Sequence, residues 1–368
     1  MNLSDRSDAV RKLMAAEGVD LLLAFSNGLH AIQAPDPVFH LSGYRPRDES
    51  ALLLAADDAH LIATPAAEEE RVRLRSAVTN CVAVKDLSAA LGHFLPAPGM
   101  SLATVGLAGL RHDVVTRIDA LLGKQAKRLD DPFHAATAWK TEEEIGFARR
   151  AAWIAEEGFA HLLEIARPGM KECDLAVALK LHMEALGADD NFLLLSALPH
   201  NNNVRPSSDR RLEPGDVVLA ELTPTYRGQF AQICRTASIG APSPVLAQKY
   251  ALVVDAMQAG IRAVRPGATV ADVCGAIDAV LTEAGYGELC RPPHMRRRGH
   301  GLGFGSTVPG DVAIDNHWRL EPDMVFVVHP NQYLPETGYL LCGEPVRVTA
   351  SGVEVLSSRL AALGVAAG

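Results

Sequence analysis

The residues able to do chemistry in this sequence are imidazoles and carboxyls in unusual settings. His300 stands in Arg296-Arg297-Arg298-Gly299-His300-Gly301-Leu302-Gly303, where glycines let the backbone turn tightly and approach a ligand while presenting an imidazole. Alone, a histidine in such a turn is more often structural than catalytic. Polar residues mass at His200-Asn201-Asn202-Asn203 behind the apolar run 192–198, as they do where a site is mounted on the end of a rigid strand. Glu221 and Gln232 lie on two strand-like runs, 217–222 and 229–239, joined around Tyr226-Arg227-Gly228. A turn centred between Tyr226 and Arg227 sets the two side chains directly opposite each other on one face. His329-Pro330-Asn331 ends a further apolar run. Glu344 interrupts another, so it faces either solvent at a sheet edge or a site.

The elements that must position these residues fall into two blocks. Up to residue 122, helix-like and strand-like runs alternate: 8–18 with Val10, Leu13 and Met14 at helical spacing, then strands at 19–25, 51–55 and 60–64. This predicts an α/β domain of about 130 residues, with no G-x-G-x-x-G turn or P-loop. Periodicity lapses over 128–138, where Asp130-Asp131-Pro132 reads as a break and the stretch as a linker. Thr141 and Glu144 then have capping-box spacing ahead of a long helix that Pro168-Gly169 ends. A second helix over 172–186, two more over 245–264 and 270–284, and closing strands at 325–329 and 339–349 complete the second block.

Composition limits the partners. The net charge of -9 over 368 residues disfavours nucleic acid and anionic membrane as partners, so neither is expected, and a small molecule fits better. The six cysteines lack zinc-ribbon or CxxC spacing and read as free thiols. The start leads into an amphipathic pattern and no uninterrupted membrane-length run occurs, so a cytoplasmic location is expected.

Several motifs, in order, resemble the methionine aminopeptidase, prolidase and creatinase superfamily in its two-domain form. They are Leu41-Ser42-Gly43-Tyr44, Lys140-Thr141-Glu142-Glu143-Glu144-Ile145, Arg167-Pro168-Gly169-Met170, Leu212-Glu213-Pro214-Gly215-Asp216, Gly299-His300-Gly301-Leu302-Gly303 and Leu320-Glu321-Pro322-Asp323-Met324-Val325-Phe326. The resemblance implies an α+β fold: a C-terminal pita-bread catalytic domain over 136–368, preceded by a smaller α/β creatinase-type domain over 1–135. It also implies a homodimer in which the N-terminal domain of one subunit covers the pocket of the other.

The metal peptidases of that superfamily hold two divalent ions with two Asp, one His and two Glu. Matched by position, Glu221 stands at the first Asp, Gln232 at the second and His300 at the His. His329 replaces the first Glu, Gly343 the second with Glu344 beside it, and Thr307 matches the second His after the turn. So much lost negative charge disfavours a dinuclear centre. The resemblance then points to creatinase, which works without metal and uses a histidine at the position of His200. The expectation is a metal-independent hydrolase of a C–N bond in a small amidine, amide or cyclic compound, similar in type to creatinase or ectoine hydrolase, with no cofactor. His200 is its general acid/base, assisted by Glu221 and Glu344, while Gln232, His300, His329, Asn331 and Arg298 bind substrate. Two alternatives are a mononuclear metal hydrolase or lyase using Glu221, His300, His329 and Glu344, and an inactive pita-bread binding protein.

Overall fold

The structure, a computed structural model, describes residues 3–95, 99–123, 126–359 and 361–367. The chain divides into two compact units. One comprises Met1–Ala138 with Phe304–Thr307, the other Trp139–Gly303 with Val308–Gly368.

The first unit contains α1 (Leu3–Glu17), β1 (Leu21–Ser26), α2 (Pro37–Ser42), β2 (Ser50–Leu54), β3 (Ala59–Ala63), α3 (Glu69–Arg75) and β4 (Asn80–Ala83). It continues with α4 (Leu87–Phe94), β5 (Leu102–Val105), α5 (His112–Leu122), β6 (Lys127–Arg128) and α6 (Asp130–Ala136). One mixed sheet runs in the order β4-β3-β2-β1-β5-β6. Strand alternation divides its apolar residues between two layers. Leu22, Ala24, Leu52 and Leu54 pack with Val10, Met14 and Phe133, whereas Leu21, Leu23, Phe25 and Leu53 pack with Leu91, Val114 and Ile118. The stretch 128–138, predicted as a linker, instead holds α6. Pro132 falls in its first turn, where a missing amide hydrogen leaves no helical bond unmade.

The second unit begins with α7 (Glu142–Ile165), α8 (Glu172–Ala185), β7 (Asp190–Leu198), β8 (Val217–Tyr226), β9 (Gln229–Phe230), β10 (Ile233–Ile239), α9 (Pro244–Ala263) and α10 (Val270–Glu283). Short strands follow: β11 (Gly299–Gly301), β12 (Val325–Val328), β13 (Gln332–Leu334), β14 (Gly338–Leu340), β15 (Glu344–Val348), β16 (Val353–Val355) and β17 (Gly364–Ala366). The capping box at the head of α7 is formed: Glu144 N donates to Thr141 Oγ1 at 3.2 Å and Thr141 N to Glu144 Oε2 at 2.8 Å. Strands β17-β10-β8-β7 make one sheet, with β9 paired to β8; β11-β12-β15-β16 make a second and β13-β14 a hairpin. Helices α7 and α8 cover the first sheet over Leu162, Leu179, Leu195 and Leu222, each burial worth roughly 1.5–3 kcal/mol. The run 339–349, predicted as one strand, is two: β14 pairs with β13 and β15 with β12, and the chain leaves one sheet for the other at 341–343. Among the described residues no helix is long and apolar enough to cross a membrane.

Candidate active site

Glu221 sits in mid-β8. Val218, Ala220 and Leu222 join the apolar cluster beneath the helices, so alternation turns Glu221 to the opposite face of the sheet. Arg227 and Gly228 both adopt positive φ, 48° and 83°, which makes a two-residue turn centred one position later than the sequence predicts. Glu221 is consequently paired with Cys234, not Gln232. Gln232 lies one step along on the same face, and its Nε2 donates to Glu221 Oε1 at 2.6 Å. Burial pushes the Glu221 carboxyl up to about 7, against the opposing pull of Arg297 and of Gln232.

His300 is the middle residue of β11, paired with Val327 of β12. Its Nδ1 lies 3.0 Å from the Gly301 carbonyl. A carbonyl only accepts, so Nδ1 carries the hydrogen and Nε2 is left as a bare acceptor. Burial lowers the His300 imidazole to about 4, keeping it neutral at physiological pH. His329 follows β12, with its ring 5.4 Å from that of His300, and burial drives it well below its ordinary value too. Its Nδ1 is buried without a partner. The Glu221 and His329 pairs meet across Gly343: a Cβ there would stand 2.5 Å from His329 Cβ and 3.2 Å from Cys234 Cβ. The bare glycine is thus what lets the two strands close.

Other predicted site residues are differently employed. Glu344 faces neither solvent nor the pocket: it is buried, accepting from Arg235 Nη2 at 2.7 Å and from Ser357 Oγ. Burial raises its carboxyl while Arg235 pulls it down. Arg298, predicted to bind substrate, is fully buried and spent on Asp278 at 2.7 Å, the Pro330 carbonyl and Gln332 Oε1. Asn331 ties strands together, taking Cys342 N at 3.1 Å and reaching Cys234 Sγ at 3.8 Å. His200 is exposed, its Nε2 donating to the Pro335 carbonyl at 3.1 Å and its ring set edge-on to Tyr333. Among the described residues no hydrogen bond joins His200 to Glu221, Gln232, His300 or His329. Tyr339 enters without a sequence prediction. It is cross-strand to Tyr333, and burial together with Cys234 and Glu221 raises its phenol, which stays protonated.

The chain belongs to metallopeptidase family M24, whose profile matches residues 147–354; the creatinase/prolidase N-terminal domain matches 6–132. It is 32% identical over 220 residues to the uncharacterized peptidase YqhT of Bacillus subtilis, an alignment covering 58% of this chain and 60% of that protein. It is 27% identical over 241 residues to the Xaa-Pro dipeptidase of Pyrococcus furiosus, covering 64% and 67%. The prolidase of Pyrococcus horikoshii superposes with a TM-score of 0.83 at 22% identity over 96% of this chain and 98% of that one, which shows a shared fold. The two-domain pita-bread arrangement is therefore established. The creatinase-like, metal-independent expectation is overturned, because these relatives are peptidases and Xaa-Pro dipeptidases of a metallopeptidase family.

The donor set nevertheless departs from a two-ion centre. Among the described residues Glu221 is the carboxyl hydrogen-bonded to Gln232, Gln232 and Gly343 carry no charge, Asp311 opposite His300 is paired with Arg297, and Glu344 is bound to Arg235. Among the described residues no three His, Cys, Asp or Glu side chains gather closely enough to hold an ion. The residues present do not fit the metal centre that the family implies. What they can do is move a proton at Glu221, accept hydrogen bonds at His300 Nε2 and donate one from Tyr339.

Proposed function

We propose that the protein hydrolyses the peptide C–N bond of a small, dipeptide-sized substrate of the Xaa-Pro kind. The observation that carries this reading is Glu221, a carboxyl raised to about 7 on the face that also presents Gln232, in a pocket with two neutral imidazoles. Family membership and the names of the relatives support the reaction class.

In this reading Gln232 holds Oε1 and leaves Oε2 to the substrate water. Glu221 takes the water proton as the new C–O bond forms, then returns it to the nitrogen as the C–N bond breaks, yielding an acid and an amine. A carboxyl poised near neutrality is suited to both transfers. Tyr339, kept as a neutral phenol beside Glu221, donates to the carbonyl oxygen as negative charge develops there. His300 Nε2 accepts from the substrate's N-terminal amine, which selects a short peptide with a free start.

The test is release of proline from a panel of Xaa-Pro dipeptides. Parallel arms contain added manganese, cobalt or zinc, or a chelator. Hydrolysis by the wild type, reduced about 100-fold or more in Glu221→Gln, is the expected outcome. Absence of hydrolysis in every arm, or undiminished turnover in the variant, would overturn the reading.

A further inference from the structure

Strand β10 changes partners along its outer edge. At Cys234 that edge is bonded antiparallel to Gly343, with Cys234 N donating to Gly343 O at 3.2 Å and Gly343 N to Cys234 O at 3.0 Å. From Ala237 onward it is paired in parallel with β17 instead. Beside this change of partners, on the face turned to α7, the fold leaves a cavity of about 230 Å³. That is short of the roughly 300–1,000 Å³ of drug-sized sites and suits a compact molecule.

Among the described residues the walls are mostly apolar, built from Phe159 and Leu163 of α7, Ile233 of β10 and Leu363 ahead of β17. Glu156, Arg235 and Arg359 also line the cavity. Which of their polar atoms are already engaged decides the chemistry of an occupant. Both oxygens of Glu156 are taken: Oε1 accepts from Ser358 N and Arg359 N, and Oε2 from Ser358 Oγ at 2.8 Å. The Arg235 side chain is 4% exposed, and its bonds run from Nη1 to the carbonyls of Cys234 and Gly343 and from Nη2 to Glu344. Its Nε has no hydrogen-bond partner among the described residues, so Arg235 brings to the lining a donor that an occupant can satisfy. Arg359 is 53% exposed, and an ion pair as open to water as the one it makes with Glu157 is weak and readily exchanged. The lining therefore sets two guanidiniums against one engaged carboxylate, around an apolar body.

We propose that this cavity binds a compact apolar monocarboxylate, its carbon body against Phe159, Leu163 and Ile233 and its carboxylate accepting from Arg235 and Arg359. Ile233 packs on the helix face of the sheet and Glu221 stands on the other, so the site is separate from the active site. The two communicate through the backbone. Arg235 Nη1 holds the Gly343 carbonyl at 2.8 Å, at the glycine across which Cys234 and His329 meet. The bound acid is thus an effector, steadying 341–344 against β10, whichever bond the active site cleaves.

Calorimetry with isocaproate, its amide and the amine of the same carbon chain tests the site in the wild type, Ala160→Trp and Arg359→Glu. The wild type should bind the acid at least about 10-fold more tightly than the amide, as charge-assisted bonds require, and the amine not at all. Ala160→Trp, whose indole fills the cavity from α7, should lose the acid, and Arg359→Glu should weaken it about 10-fold. Arg359→Glu alters an exposed side chain and decides the matter if Ala160→Trp does not fold. Hydrogen exchange reads the coupling: saturating isocaproate should slow exchange over 233–236 and 341–344 in the wild type. No binding of the acid by the wild type, equal affinity for acid, amide and amine, or acid binding left intact in either folded variant would overturn the site. Binding without slower exchange over 341–344 would overturn the effector role.

Discussion

At the scale of the residue, Glu221 couples activity to instability. Its carboxyl rises from the usual range to about 7 because burial penalises the ionised form. The sign follows from linkage: a group whose folded pKa is raised contributes stability that is complete below its unfolded pKa and is lost as pH rises through about 7. Glu221→Gln should therefore match the wild type in unfolding free energy at pH 4 and exceed it at pH 8, by ~1–3 kcal/mol, while losing turnover. The wild-type kcat/KM should fall as pH drops below about 7, as the base takes up its proton. A variant less stable than wild type at pH 8 would contradict this account. Glu221 and Gln232 are legible in the sequence because a hairpin brings them together over a short span. Glu344 is not, since its partner Arg235 lies 109 residues away and nothing local distinguishes a carboxyl facing a site from one facing a buried cation. The same holds for Arg298, whose charge in the sequence looks available and in the fold is spent.

At the scale of the element, the predictions succeeded where a local rule decides and failed where pairing decides. The capping box of α7 is written in four consecutive residues, Thr141 to Glu144, and forms as written. The β8–β10 register is off by one turn position because Arg227 joins Gly228 at positive φ, which its sequence does not announce. The split of 339–349 is likewise invisible, since both halves are apolar and only their partners differ. Gly299 shows how little freedom the His300 ribbon has. Its φ is 147°, and an added Cβ would lie 1.9 Å from the Val327 carbonyl oxygen. Gly299→Ala should cost more than about 3 kcal/mol and displace His300. Gly146→Ala, inside α7 with open space around it, should gain about 1 kcal/mol. Chemical denaturation of both variants checks the contrast, and a neutral Gly299→Ala would refute the steric argument.

At the scale of the whole molecule, the two-block organisation was legible from the alternation of patterns, but the return of Phe304–Thr307 to the first unit was not. Phe304 is fully buried against Phe39 at 4.5 Å, with His30 and His40 each at 5.5 Å and the Arg6 guanidinium 4.6 Å from its ring centre. Gly305 lies so close to His40 that a Cβ would stand 2.6 Å from its ring, and Thr137 Oγ1 donates to the Gly305 carbonyl at 3.2 Å. Phe304→Ala should destabilise the first unit by about 3–5 kcal/mol. Hydrogen exchange accelerated in α2 while α7 and α8 keep their protection would report it; uniform exchange across both units would argue that Phe304 is not part of the first core.

That returning segment bears on how such a chain can be inherited. A unit whose core is contiguous can be gained, lost or traded by a single recombination event. Here residues 1–138 carry a socket whose filling is encoded more than 160 positions downstream, between two halves of another unit. A transplant of the N-terminal block alone would arrive without its own Phe304, and a recipient would have to supply an aromatic of the right size at one place in its own sequence. In this chain, therefore, a single cut after residue 138 does not release the first block with its core complete.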